Sequence, residues 1–413
     1  MSLVHPIRSL RTFVGRLVVA GSYLAGHLAR RDPRVWAFGN IRGYRDNPRY
    51  LAEHVARAYP GVLEAWWIAR SDAEAERARE AGLNVAMRDG RGPAVQRRAG
   101  VAFLSNGFRD LQAAHLGGAF VVDLRHGQGT KRILLDSLDP SAADGWPRRS
   151  VRWVRRRYVR RRLAQIDMIV APGEQEKRMY ETAFGGAPER IRVLGSPRFD
   201  VILGGEADGR PAPSDIRARL GLADDDYAVL WLPTWREDGD ADWLPPLDAA
   251  TLDAASADTR IQLLVKLHPY SDKAVFAAKL PSHPRLRWIT DDDEDVNSLL
   301  RIADLLVTDY SSAAFDFALL DRPIVFFAPD LDTYRARHGL LPNFESLVLE
   351  GHHATWESLL VALRELAAGT TDAGRDVAAR IRAISRNMDE PGSCDRIVRA
   401  VADAVRVDVG VAA

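Results

Sequence analysis

The sequence predicts two α/β units, each on a mostly parallel sheet, with a ligand cleft between them. Short apolar runs alternate with helical patterns, a Gly- and Pro-rich break falls just past residue 200, and polar clusters recur where strands should end. In the first unit the strand candidates are 35–38, 65–68, 101–104, 120–124, 166–170 and 191–194, with helical patterns over 49–59 and 73–81. Gly204, Gly205, Gly209, Pro211 and Pro213 then read as a linker. The pattern restarts with strand candidates at 228–232, 261–266, 286–289, 305–307 and 323–327, and helices following Val296, Ser311 and Thr355. The expected division is 1–204, 205–385 and a helical tail, 386–413, with a path back across the cleft onto the first unit as one role for that tail.

Composition narrows the function classes. The 413 residues are 46% apolar and 27% charged, the balance of a globular protein. With 57 Lys+Arg against 56 Asp+Glu, net charge is +1, so attraction to a polyanion must come from local patches. The single cysteine, Cys394, leaves no internal disulfide and no cysteine-based zinc cluster. No HExxH or calcium-loop spacing occurs, and no metal is expected. No segment is long and apolar enough to span a bilayer. Phe13, Leu17, Leu24 and Leu28 form a helical stripe that suits docking on its own domain or contact with a membrane interface.

Four clusters carry the chemistry. Arg125-His126-Gly127-Gln128-Gly129-Thr130-Lys131-Arg132 follows a strand-like run, so its polar groups sit at a strand's carboxyl end. His126 has the chemistry to accept a hydroxyl proton and Lys131 to face an anion; a surface turn with a satisfied histidine is the competing reading. In Pro233-Thr234-Trp235-Arg236, the Arg236 guanidinium suits phosphate oxygens, or a salt bridge to nearby Glu237 or Asp238. Lys266 and His268 share one face of the next strand end, and Pro269 stops the strand. In Thr308-Asp309-Tyr310-Ser311-Ser312, the serines suit a helix cap and an anion site, while Asp309 orients a donor or binds a ligand hydroxyl. No phosphate loop, kinase motif or nucleophile elbow is present.

In this order the clusters resemble the CDP-glycerol glycerophosphotransferases that build teichoic-acid-like polymers. The resemblance is carried by His126-Gly127 with Lys131, Pro233-Thr234-Trp235-Arg236, Lys266-Leu267-His268-Pro269 and Asp309-Tyr310-Ser311-Ser312. It extends from Asn47-Pro48-Arg49-Tyr50 through Phe326-Phe327-Ala328-Pro329-Asp330 to Ser393-Cys394-Asp395-Arg396. It implies two Rossmann-like domains of the GT-B type, with nucleotide held mainly by the second. His126 and His268 are implied as reaction-centre histidines, and Arg236, Ser311 and Ser312 as phosphate contacts. The implied donor is CDP-glycerol, with no cofactor, and the implied acceptor is lipid-linked or polyanionic. The family's Thr-Pro after the first His-Gly is replaced here by Gln128-Gly129, which loosens that loop. A nucleotide-sugar glycosyltransferase and a ribitol phosphate transferase are the enzymatic alternatives.

Nine arginines crowd Arg148–Arg162, interrupted by Val151, Val154 and Tyr158 close to one helical face. No base-reading motif accompanies them, so nucleic acid is not the expected partner. The expectation is a cytoplasmic peripheral enzyme held at an anionic inner leaflet by this segment, with Arg155, Arg156, Arg160 and Arg161 as the contact. A solvated basic face and a track for a polyanionic acceptor are its other readings.

Overall fold

The computed structural model describes residues 21–130, 132–138, 146–204, 211–236, 242–256, 259–290 and 294–410, with backbone alone for 146–149 and 255–256. Two all-parallel sheets organise it. The first contains β1 (Asp32–Phe38), β2 (Glu64–Ala69), β3 (Asn84–Met87), β4 (Ala99–Leu104), β5 (Phe120–Asp123), β6 (Met168–Ala171) and β7 (Ile191–Val193), in the order β3-β2-β1-β4-β5-β6-β7. The second contains β8 (Tyr227–Leu232), β9 (Ile261–Val265), β10 (Leu286–Trp288), β11 (Leu305–Thr308), β12 (Ile324–Phe327) and β13 (His352–His353), in the order β10-β9-β8-β11-β12-β13. Both are doubly wound, and strand order reverses between β1 and β4 and between β8 and β11. Crevices form at such reversals, beyond the strands' carboxyl ends.

The central strands are continuous apolar runs because helices cover both faces. Val35, Ala37, Ala102 and Ile169 face one core of the first sheet, while Trp36, Phe38, Phe103 and Val170 face the other. The second sheet divides likewise, with Leu230, Leu264 and Leu306 on one side and Val229, Leu263 and Val307 opposite. Two strands escape the sequence reading. β3 is four residues at a sheet edge, and β13 is only two, paired through Phe326–His352 and Phe327–His353.

The chain crosses between the sheets twice. Helix Pro197–Leu203 places Phe199 and Ile202 in a core of the second sheet. Helix Ser393–Val405 returns, inserting Ile397, Val398, Val401 and Ala402 among Trp36, Leu51 and Val55 of the first. Asp200 ties the crossings together: its carboxylate accepts from the amides of Gly392 (2.8 Å), Ser393 (2.8 Å) and Cys394 (2.7 Å). These are amides that a helix start leaves without partners.

The opening helix differs from the docked stripe. Phe13 and Leu17 lie outside the described residues. Leu24 and Leu28 are 67% and 90% exposed, because the segment docks through its small face instead. A Cβ on Gly26 would stand 2.9 Å from the Gly117 carbonyl oxygen, and the Arg31 guanidinium donates to the carbonyls of Gln96, Ala99, His115 and Gly117.

Replacing Asp200 by Ala leaves three helix-start amides without their acceptor. The expected loss is about 2 kcal/mol of unfolding free energy, measured by denaturant titration. An unchanged midpoint would remove Asp200 from the connection between the crossings.

Candidate functional site

The loop after β5 is shaped by its own sequence. Arg125 takes a left-handed conformation (φ 55), held by its amide donating to Asp123 Oδ1 at 2.9 Å. Its guanidinium lies 3.6 Å from Asp123 Oδ2 and over the rings of Tyr180 and Phe184. Asn47 supports the turn from below: its amide donates to the Arg125 carbonyl at 2.7 Å, and its Oδ1 accepts from Ser196 Oγ and the Arg198 amide. The next residue, His126, turns its ring to the cleft.

His126 Nδ1 lies 3.1 Å from the Ser105 carbonyl, so this nitrogen carries the proton and Nε2 keeps its lone pair. Although the residue keeps an exposed surface, desolvation by the protein packed around the ring, then the charges of Arg125, Arg42 and Arg198, push its pKa down to about 4, while the Ser105 carbonyl pulls the other way. The ring is therefore a neutral acceptor at pH 7.

The second sheet brings its turns to the same place. A Cβ on Gly127 would sit 2.9 Å from Ser312 Oγ, so the His126 loop and the serine turn lie close together, and a larger residue there would require the Ser312 hydroxyl to rotate away. The Leu341 amide also donates to the Thr130 carbonyl at 2.8 Å. Ser311 and Ser312 remain half-exposed before the short helix Ala313–Phe317, and Ser311 Oγ accepts from the Ala313 amide at 3.2 Å. His268 is half-buried, with its ring near Trp235 and Tyr270. Its Nδ1 accepts from the Tyr270 amide at 3.2 Å, which leaves the proton on Nε2. The two histidines thus adopt opposite tautomers, one a ring acceptor and one a ring donor. Arg42 acts on both surroundings: its charge lowers the His126 pKa, and its guanidinium lies 6.0 Å from the Tyr270 ring centroid.

Other residues singled out from sequence are engaged inside the turns. Arg236 makes a two-pronged bond to Asp330 (3.0 Å each), pairs with Asp309 at 2.9 Å, and is caged by Trp243, Tyr310 and Tyr334. Its carboxylate partners among the described residues are 73 and 94 residues away; Glu237 and Asp238, the nearer candidates, lie outside the described residues. Asp309 accepts from the Thr234 amide and hydroxyl and from the Tyr310 amide. It therefore joins the ends of β8 and β11 at the reversal of strand order. Lys266 Nζ donates to the Thr290 carbonyl at 3.0 Å. Lys131 lies outside the described residues.

Sequence reasoning missed a buried polar cluster close to the His126 loop. Arg198 Nε pairs with Asp316 Oδ2 at 2.9 Å, with both side chains buried. Among the described residues, Arg198 Nη2 and Glu176 Oε2 are buried without a hydrogen-bond partner, while Tyr180 lies beside Arg125 and Asp316 beside Gln128. Burial raises the Glu176 pKa to about 8, with Arg198 opposing and Asp316 reinforcing the shift. Asp46 caps this region with a left-handed backbone (φ 63) and a pKa raised to about 6, chiefly by desolvation. Among the described residues, no three histidine, cysteine or carboxylate side chains gather as a metal centre would.

The helix Trp146–Leu163 flanks the first sheet. Leu163 is buried and Arg156 turns inward to the Leu135 carbonyl at 3.2 Å, unlike the outward contact expected of it. Arg155, Arg160 and Arg161 are exposed, as are Val151, Trp153, Val154 and Tyr158 at 60–69%. No helix among the described residues is long and apolar enough to cross a membrane.

Two doubly wound domains facing a cleft define a GT-B-type architecture. Comparison with known proteins gives the family: the profile of the CDP-Glycerol:Poly(glycerophosphate) glycerophosphotransferases matches residues 24–403, and the chain belongs to that family. It is 25% identical over 337 residues to a teichoic acid poly(glycerol phosphate) polymerase of Staphylococcus epidermidis, covering 76% of this chain and 43% of that protein. It is 29% identical over 222 residues to a teichoic acid glycerol-phosphate transferase of Staphylococcus aureus, covering 51% of this chain and 52% of that one. The chain spans about half the length of the curated relatives it matches. The solved wall teichoic acid polymerase TagF superposes with a TM-score of 0.71 at 21% identity, covering 97% of each chain, and confirms the fold.

Two expectations follow from the electrostatics. His126 should titrate near pH 4 in the free protein, and its pKa should rise when pyrophosphate enters the cleft and offsets the nearby arginines. Histidine ring NMR reads both, and an unperturbed titration without ligand would contradict the crowding. Glu176 is held protonated in the fold, so its contribution to stability is complete below pH 4.5 and lost as pH rises through about 8. Glu176→Gln should flatten the decline of the melting temperature across that window; a decline matching the wild type would assign it to another group.

Proposed function

We propose that the protein transfers glycerol phosphate from CDP-glycerol to a hydroxyl of a lipid-linked or polyol-phosphate acceptor, releasing CMP. The observation that carries this reading is the pair of opposite tautomers, His126 with a lone pair on Nε2 and His268 with a proton there. An acceptor oxygen attacks the glycerol-bearing phosphorus, and its proton passes to His126 Nε2. The bond from that phosphorus to the CMP oxygen breaks, the electron pair staying on the departing phosphate, as His268 Nε2–H donates a hydrogen bond to it. Ser311 and Ser312 contact the donor phosphates at the seam between the domains, and Lys131 is assigned to the same anion. Arg236, Asp309 and Lys266 serve chiefly by holding the turns that carry these groups, since their polar atoms are bonded within the protein.

The reaction as written needs no metal or other cofactor. The purified protein should keep its activity after exhaustive chelation, and loss reversed only by a divalent ion would overturn that part. Mass analysis of products from CDP-glycerol, CDP-ribitol and nucleotide sugars, each with a lipid-linked acceptor, tests the donor. CMP release coupled to gain of a glycerol phosphate unit is expected; sugar transfer would refute the reading. His126→Gln should lower kcat about a hundredfold or more while changing CDP-glycerol affinity little. Near-normal turnover in that folded variant would remove His126 as the base.

Location belongs to the same proposal: the enzyme works peripherally at the anionic inner face of the cell membrane. The exposed Val151, Trp153, Val154 and Tyr158 beside Arg155, Arg160 and Arg161 support this, because an apolar body ringed by cations suits an anionic interface. Sedimentation with phosphatidylglycerol vesicles should need the anionic lipid and weaken with salt. It should also fall when Arg155, Arg160 and Arg161 become Gln; undiminished binding would assign the contact elsewhere.

A further inference from the structure

A second crevice opens at the carboxyl ends of β1 to β4, on the same edge of the first sheet as His126. It encloses about 580 Å³, within the range of small-ligand sites. Arg70 and Arg88 stand immediately after β2 and β3, Arg109 comes from the loop after β4, and Arg162 reaches in from the Trp146–Leu163 helix. Phe108 floors it, with the Arg162 guanidinium 4.2 Å from its ring centroid.

Among the described residues, none of these four charges has a carboxylate in a salt bridge with it. Arg70 donates to the carbonyls of Asn40, Arg109 and Asp110. Arg88 reaches those of Asp110 and Leu111 at 3.5 and 3.4 Å, and Arg162 donates to the Gln165 side chain. Arg109 is exposed. Asp89 and Asp110 lie near Arg88, but the Asp110 carboxylate already accepts from the amides of Ile41, Ser105 and Asn106. Burial and the neighbouring Arg70 lower the Arg88 pKa, as crowding of like charges requires. Arginines held in place by backbone carbonyls, with charge unspent, suit phosphate oxygens.

The crevice is mechanically joined to the reaction centre. Ile41 lines it, while the charge of Arg42, the next residue, acts on His126. The loop whose Ser105 carbonyl orients His126 continues through Phe108 and Arg109 into the crevice wall. Asn40 and Ser105, linked at 3.3 Å, close the reversal of strand order between the two places. At its far side Arg162 belongs to the helix whose apolar side chains are exposed.

We propose that this crevice binds a phosphodiester of the acceptor chain, gripping it behind the hydroxyl that is presented to His126. The proposal rests on the glycerophosphotransfer reading and adds where the acceptor is held. The same chemistry occurs in a phospholipid headgroup; the reach from the membrane-facing helix toward His126 favours the acceptor.

Titration calorimetry with a lipid-free glycerol phosphate oligomer, without donor, tests this apart from turnover. The oligomer should bind the wild-type protein, more weakly as salt rises. Arg109→Gln, at an exposed position, and the double change Arg88→Gln with Arg109→Gln should each weaken it, the double by about tenfold or more. CDP-glycerol affinity should stay within about twofold, whereas Arg88→Lys should restore part of the loss. Unchanged oligomer binding in the folded variants overturns the proposal. So does a fall in phosphatidylglycerol vesicle binding with oligomer binding intact, which would make the crevice a headgroup site. A preference for another donor would instead refute the proposed reaction and leave the oligomer result to decide the crevice by itself.

Discussion

The buried ion pair between Arg198 and Asp316 is the contact on which the cleft depends. Arg198 begins the helix that leaves the first sheet, and Asp316 lies on the short helix beneath the serine turn of the second. Two charges out of water are tolerable only when each has a partner, so any separation of the domains here would leave both uncompensated. Asn47 multiplies the effect, since one side chain holds the Arg198 amide and the carbonyl preceding His126. Tyr50 adds a further link, its hydroxyl donating to Asp295 and accepting from Asn297 across the seam. The position of His126 relative to Ser312 is consequently a property of the interface, not of either sheet.

The histidines show how little local sequence is needed to set proton chemistry. Both are imidazoles at the ends of parallel strands, and each is bonded through Nδ1 to a backbone group. One backbone carbonyl and one backbone amide give them opposite tautomers. Desolvation, and then the positive charges of Arg125, Arg42 and Arg198, keep the His126 ring neutral.

Much of this was legible in the sequence for a physical reason. Parallel strands buried on both faces must be short, continuous apolar runs, and their carboxyl ends must carry the functional loops. Val35–Phe38 and Leu305–Val307 therefore announced themselves, and with them His126 and the Ser311-Ser312 turn. β3 and β13 did not, being too short and too close to an edge to carry a pattern. The partners of Arg236 were hidden because Asp330 lies 94 residues away, while acidic neighbours offered nearer candidates. The crevice was invisible for a similar reason: Arg70, Arg88 and Arg109 are scattered along the chain and each alone reads as a solvated charge, while Arg162 was read with the Arg148–Arg162 cluster and not with them.

The returning helix has a consequence for how the protein is made. Its Ile397, Val398 and Val401 fill a core otherwise built from residues synthesised far earlier. A ribosome adding roughly 5–20 residues per second would complete the first sheet and then spend tens of seconds on the second before that helix emerged. Throughout this interval the groove over Trp36, Leu51 and Val55 lacks its lid. The nascent first domain thus keeps an exposed apolar surface until the helix Ser393–Val405 has been made. Premature termination within the second domain would strand it in that state, making truncated products prone to aggregate even where every strand of the first sheet is present.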